Sequence, residues 1–318
     1  MNLSVVIPNY NGQELLKKNL PNVFYEVSVY KKGQIEIIVI DDCSSDGSLE
    51  VLENLKTEMR RNYPEIKFKI IKNEKNLGFS SNVNRGVKNS GGNLVVLLNT
   101  DVSPKRNFLS PLVDHFSDPK IFAVGCMDES VENGGTVLRG RGIGRWKKGF
   151  LIHSRGEVNK DSTLWVSGGS GAFRKSIWEK LGGLNSLYNP FYWEDIDLSY
   201  RALKSGYKIL FESKSVVVHE HEKGAIKDKF SSSYVKTIAY RNQFIFVWKN
   251  ATDLNLQILH LLWLPYHFIK ALVRFDTSFF KGFFSAFSLL PQIIECSIGD
   301  KKLFVISDRK TMSSFGKE

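Results

Sequence analysis

Three carboxylates, Glu194, Asp195 and Asp197, fall within four positions of the stretch FYWEDIDLSYR (191–201), directly after Phe191, Tyr192 and Trp193. Acids gather in the first turn of a helix because the positive end of the helix dipole favours them. A well-capped helix would therefore account for the cluster. Carboxylates are also the groups that take protons from sugar hydroxyls, general-base work that speeds a reaction by about 10²–10⁴-fold. Polar groups end other apolar runs as well: PNYN at 8–11, DDCS at 41–44, NTD at 99–101, and the pair His219 and His221 in VVVHEH. Cys43, Cys126 and Cys296 lie far apart with no CxxC or CxxH spacing. They read as free thiols in a reducing compartment, without a disulfide frame or a zinc site.

The elements that must position these residues are legible as alternating runs. LSVVIP (3–8), IEIIVIDD (35–42), KFKIIKN (67–73) and NLVVLLNTD (93–101) are β-branched and nearly continuous, as in parallel strands buried on both faces. Helix-like segments at 13–30, 45–62 and 79–90 separate them. That alternation predicts a doubly wound α/β domain, with ligands beyond the C-terminal ends of the strands. After residue 102 the regularity fades. The Gly- and Arg-rich stretch 128–163 reads as a mobile loop or a hairpin, and GGSGAF (168–173) puts small residues just before the acidic stretch.

The chain has 318 residues, 42% hydrophobic and 24% charged, with a net charge of +11. The composition is that of a soluble globular protein. Of the charge, +4 falls on residues 1–222 and +7 on 223–318. From about residue 225 the chain turns aromatic and apolar with scattered cations. Its longest uncharged run, Leu254 to Ile269, is 16 residues and contains Pro265, below the roughly 20 needed to span a bilayer. The expectation is an α/β domain over 1–224 and an amphipathic helical region over 225–318, lying either on an anionic membrane surface or on the main domain. The N-terminus runs almost at once into a strand, so no signal peptide is expected. No nucleic-acid-binding motif or long basic run occurs, which argues against nucleic acid as a partner. A dinucleotide fold needs G-x-G-x-x-G after the first strand. The turn here, PNYNGQE, has one glycine, and a P-loop is absent too.

Taken in order, SVVIPNYNG, IIVIDDCSSDGS, NLGFSSNVNRG, LVVLLNTDVSP, VSGGSGAF and WEDIDLSYR resemble the family 2 glycosyltransferases of the GT-A fold, an inverting family, and among them rhamnosyltransferase-like enzymes of surface polysaccharides. The resemblance covers roughly residues 1–222. It implies an α/β, Rossmann-like, mainly parallel sheet with a C-terminal helical appendage. It also implies transfer of a sugar from a UDP- or dTDP-sugar donor to a hydroxyl of a glycan or lipid-linked glycan acceptor, on the cytoplasmic face of a membrane.

Positions follow from the resemblance. It implies nucleotide contacts at Pro8, Tyr10, Asp41, Asp42, Asn76, Gly78, Asn84, Asn99 and Thr100. The family's metal motif is Asp-x-Asp, and this chain has Asn99-Thr100-Asp101. Asp101 is then the main carboxylate ligand for Mn²⁺ or Mg²⁺, with His219 or His221 as a further one. The base is implied at Asp195. Glu194, Gly169 and Ser170 are implied beside the donor and acceptor sugars, with Trp193 there as a stacking surface or else in the core. Asp197 serves the helix or pairs with Arg201 at i+4. A sugar-nucleotide-binding protein without transfer is the alternative. A nucleotidyltransferase would need a Gly-rich loop after the first strand, which is missing.

Overall fold

The computed structural model describes residues 1–132, 135–219, 230–313 and 315. Strands β1 (Leu3–Asn9), β2 (Ile35–Asp41), β3 (Lys67–Lys72) and β4 (Leu94–Leu98) are parallel and run in the order β3-β2-β1-β4. Helices α1 (Gln13–Ser28), α2 (Ser48–Asn62) and α3 (Phe79–Lys88) connect them. Val5 and Ile7 of β1 face the core shared with α1 and α2, while Val6 faces Val83 and Val87 of α3. Both faces are covered, which is why these strands read as unbroken apolar runs.

Beyond β4 the sheet becomes mixed. β5 (Val102–Pro104) forms an edge, and α4 (Leu109–Asp114) leads to the long β6 (Ile121–Glu132), which pairs with β7 (Gly135–Arg139). Strands β8 (Gly142–Lys147) and β9 (Phe150–Arg155) close a separate hairpin, which realises the second of the two readings of 128–163. β10 (Ser170–Arg174) inserts antiparallel between β4 and β6, followed by α5 (Lys175–Lys180) and α6 (Glu194–Lys204). β11 (Lys208–His219) then lies between β6 and β5. The mixed sheet carries Asn99, Asp101, His219 and the entry to α6 to one edge.

The C-terminal segment forms α7 (Ser232–Asn250), α8 (Leu254–Val273), α9 (Thr277–Ser288), α10 (Leu290–Lys301) and the short α11 (Asp308–Met312). They share a core with the hairpin and α6: Phe244, Phe246, Ala271, Phe279 and Ile293 pack with Phe150, Leu164, Trp193 and Tyr200. The boundary expected at 224/225 falls outside the described residues, as does His221. α8 runs through Pro265 and past Lys270 to 20 residues, long and apolar enough by length and composition to cross a bilayer. The uncharged run understated it, because one lysine near the end of a helix does not end the helix.

Candidate active site

The acidic stretch enters α6 through two consecutive left-handed residues, Tyr192 at φ 71° and Trp193 at φ 77°. For bulky side chains this backbone costs about 1–3 kcal/mol each and persists only where neighbours hold it. Here Asn242 of α7 does so: its Nδ2 faces the carbonyls of Tyr188, Phe191 and Tyr192 at 3.1, 2.9 and 2.8 Å. Trp193 is turned inward, 6% exposed, between His153 and Phe246. The structure takes it out of the cleft and into the core, leaving Tyr192, 44% exposed, as the ring open to solvent.

The tight turn delivers Glu194 and Asp195 side by side. Asp195 is partly open and its Oδ1 accepts the Ile196 N–H at 2.8 Å. Glu194 is buried with Oε2 unpartnered among the described residues. Desolvation raises both, Asp195 to about 6 and Glu194, further lifted by the Asp195 charge, to about 8. Near pH 7 the adjacent carboxyls thus share one proton, with burial and the Asp195 charge favouring Glu194 as its holder.

Gly168 and Gly169 link this pair to β4. A Cβ on Gly169 would stand 2.6 Å from Asn99 Nδ2, and one on Gly168 would touch Asp195. The Asn99 N–H donates to the Gly169 carbonyl at 2.9 Å, while Asn99 Oδ1 is buried and unpartnered among the described residues. Asn99, Gly169, Gly168 and Asp195 therefore form one continuous wall, with Ser170 buried behind it.

Two residues beyond Asn99, Asp101 Oδ2 stands 3.2 Å from His219 Nε2, and His219 Nδ1 is 3.0 Å from Asp128. Burial alone would lower the His219 pKa, but hydrogen bonds and charge from Asp101 and Asp128 push it to about 9. Asp101 Oδ1 is buried with no partner among the described residues. A hard cation takes few protein carboxylates plus substrate phosphates, and the orphaned Asp101 oxygen fits such an ion, which His219 could join only by giving up its proton. No ready-made group of three ligand side chains exists among the described residues. Asp128 escaped sequence reasoning: CMDES has no motif, and only the pairing of β6 with β11 places it.

At the rim, the sequence candidates divide. Asp41 is fully buried, accepting from Asn9 Nδ2 at 2.8 Å and from Ser44 Oγ and N–H at 2.6 and 3.0 Å. Asp42 accepts from Asn73, Leu77 and Gly78 at 2.7, 2.8 and 2.9 Å. Both carboxylates fasten the rim loops together. Gly78, at φ 80°, has no room for a side chain against Asn189, and Asn76, exposed, caps it with a 3.1 Å bond. Tyr10 is half-buried and Thr100 lies near Gly12, whereas Pro8 is buried in the sheet. Asn84 is not in the cleft. Its amide is spent on both backbone groups of Leu184, at 2.7 and 3.0 Å. Asn9, Asn73 and Asn189 are rim residues the sequence did not flag.

Asp197, on the opposite side of α6, is fully buried. It pairs with Arg201 and Lys249 at 2.8 Å and accepts from Asn250 and Tyr188 at 2.7 and 2.9 Å. Burial opposes ionisation, but the Lys249 and Arg201 cations hold it well below the usual carboxylate range. The i+4 pair with Arg201 is present, within a larger network that ties α6 to α7.

Known proteins resemble this chain in sequence and in fold. The family model described as glycosyl transferase family 2 matches residues 4–182, and that of glycosyl transferase family group 2 matches 94–291. The chain is 25% identical over 225 residues to the O-antigen chain rhamnosyltransferase RfbN of Salmonella typhimurium, covering 70% of this chain and 67% of that one. It is 31% identical over 155 residues to the GalNAc(5)-diNAcBac-PP-undecaprenol beta-1,3-glucosyltransferase of Campylobacter jejuni, 47% of each chain. In fold it is similar to GalNAc-T7, whose structure holds UDP, GalNAc and Mn²⁺, with a TM-score of 0.64, 20% identity, and 80% and 48% of the two chains covered. The match thus spans about half the length of the latter two proteins. With a mixed α/β sheet of the GT-A-like kind, C-terminal helices and a family model covering more than half its length, this chain belongs to glycosyl transferase family 2.

Proposed function

We propose that the protein transfers a sugar from a UDP- or dTDP-sugar to a hydroxyl of a glycan or lipid-linked glycan, with inversion, in surface-polysaccharide synthesis. The observation that carries this is the Glu194–Asp195 pair, split in proton affinity and set against the Asn99–Gly169–Gly168 wall. The acceptor hydroxyl attacks the anomeric carbon as the bond to the nucleoside diphosphate breaks, and ionised Asp195 takes its proton. Neutral Glu194 donates a hydrogen bond to a sugar hydroxyl, and the free Asn99 oxygen accepts one. Tyr10, Thr100 and the loop around Asn76 and Gly78 receive the nucleotide, held in shape by Asp41 and Asp42. Asp101 and His219 would hold Mn²⁺ or Mg²⁺. Such an ion, when bound, stabilises the charge that develops on the departing diphosphate.

The reading divides labour between a transferase unit over 1–224 and a helical region over 225–318 that rests on the cytoplasmic face of a membrane. Its support is the outer face of α8, where Leu261, Leu262, Leu272 and Val273 are exposed, followed by Phe275 at 88%. The inner face is fastened: His260 bonds to the Gly149 carbonyl at 2.8 Å and to Trp248 at 2.9 Å, and His267 to the Lys148 carbonyl at 2.8 Å. A helix so held lies along the body with its apolar side outward, the disposition of an interfacial helix.

The test is a panel of UDP- and dTDP-sugars with Mn²⁺ or Mg²⁺, read by release of nucleoside diphosphate, for wild type and Asp195→Asn. Release that depends on the ion and on Asp195 is expected. Donor binding without release above background would instead favour a sugar-nucleotide-binding protein.

A further inference from the structure

Apart from the cleft, the hairpin β8–β9 and helices α7–α9 enclose an open cavity of about 360 Å³. Four cations line it, Lys147, Lys148, Lys270 and Arg274, and none is paired with a carboxylate among the described residues. The one acid there, Asp276, is already taken by Lys236 at 2.8 Å and Tyr240 at 2.9 Å. Lys148 Nζ stands 4.2 Å from the Tyr266 ring centre and 3.0 Å from its hydroxyl. That hydrogen bond, with the charges of Lys148, Lys270 and Arg274, holds the Tyr266 hydroxyl below its ordinary pKa, so the cations act on one spot. Unpaired cations around a concave site are an arrangement for a multiply charged anion.

The surroundings say what the anion is attached to. The cavity walls include Phe150 and Phe279, and the cations Lys270 on α8 and Arg274 just past its end interleave with Ile269, Leu272 and Val273, which are 61–71% exposed. A free phosphate has no use for that apolar ridge, whereas a chain entering from the bilayer would lie along it. The site also backs onto the acidic stretch. Helix α7 gives Tyr240 and Gln243 to the cavity while its Arg241 and Asn242 grip the 188–192 loop, and the hairpin carries both Phe150 and the His153 that touches Trp193.

We propose that this cavity binds the phosphoryl headgroup of a long-chain lipid phosphate or diphosphate, and so seats a membrane-anchored acceptor beside the cleft. This rests on the reading of a lipid-linked acceptor. Binding of the full-length protein to phosphatidylcholine vesicles is measured with a small fraction of a polyprenyl monophosphate, or of phosphatidylglycerol at the same fraction. Wild type should prefer the polyprenyl phosphate by about tenfold, the worth of one charge-assisted hydrogen bond. The double variant Lys148→Gln, Arg274→Gln should lose the preference while still binding nucleoside diphosphate, which also reports that it is folded. Equal binding to the two vesicles, or a preference that survives the substitutions, overturns the proposal. So does inorganic pyrophosphate binding as tightly as the lipid, which would make this a soluble-anion site. Donor turnover without lipid reads the transfer proposal separately. Its absence alongside an intact lipid preference would sink transfer and leave this site standing.

Discussion

Asp195 and Glu194 are neighbours that compete for one proton. A base works only when ionised, and Asp195 is raised to about 6. The kcat/KM of the wild type should therefore climb with pH through about 6 and level off above it, losing tenfold per unit on the acid side. A profile flat from pH 5 to 8 would remove Asp195 from the role. Asp195→Asn keeps the shape but cannot take a proton, so donor affinity should hold while turnover falls at least about 10²-fold. Asp101→Ala should abolish the gain in nucleoside-diphosphate affinity that Mn²⁺ gives, as read by calorimetry. An undiminished gain would put the ion elsewhere. At this scale the sequence was partly legible. Acids and amides at strand ends are visible as types, but whether an oxygen is spent on its own backbone is a matter of geometry. Asn84 and Trp193 have the right types and face away; Asp128 and Asn9 face in without any pattern to announce them.

Helix α6 is held from both sides, and Asp197 in its first turn does the holding. Asp197 was readable as a helix-start acid with an i+4 partner. What sequence spacing cannot reveal is that Lys249 and Asn250, some 50 positions on, close over it. Its substitution is thus a core event. Asp197→Asn should cost about 3 kcal/mol, because Arg201 and Lys249 lose their shared buried carboxylate and keep only Asp300, at 3.8 and 2.5 Å. Loss of activity would then track a lowered melting temperature, unlike Asp195→Asn, whose melting should match wild type. The sign with pH follows from a depressed folded pKa: the contribution is fully present above the unfolded value of about 3.9 and fades as pH falls below it. Asn242→Ala, which frees the carbonyls behind the left-handed pair, should lower kcat with little change in donor affinity. Unaltered kcat would mean the turn holds itself.

The whole molecule is asymmetric in charge and in surface. The parallel half was legible because four continuous β-branched runs alternate with three helices; the mixed half was not, since β6 and β11 reach their partners across long separations. Basic, apolar C-terminal helices were foreseen as a surface for membrane or domain. They prove to bury one face on the domain and expose the other. Replacing Leu261, Leu262 and Leu272 with Ser should release the protein from anionic vesicles at low salt without lowering its melting temperature. Retention by the bilayer after that change, or resistance of the wild type to alkaline carbonate, would point to insertion deeper than an interface.

Lys204, fully buried at the end of α6, makes an ion pair with Asp308 at 2.8 Å and a hydrogen bond to the Asn250 carbonyl at 2.9 Å, and Asp308 also accepts from Tyr200 at 2.6 Å. The helix that opens with Glu194 and Asp195 is synthesised long before the residues that neutralise its far end. A nascent chain released at residue 300 would carry every group assigned to the chemistry and still lack the counter-ion for Lys204. Closure of the helix that carries the acidic pair is therefore a long-range event, waiting on a carboxylate 104 positions further along the chain.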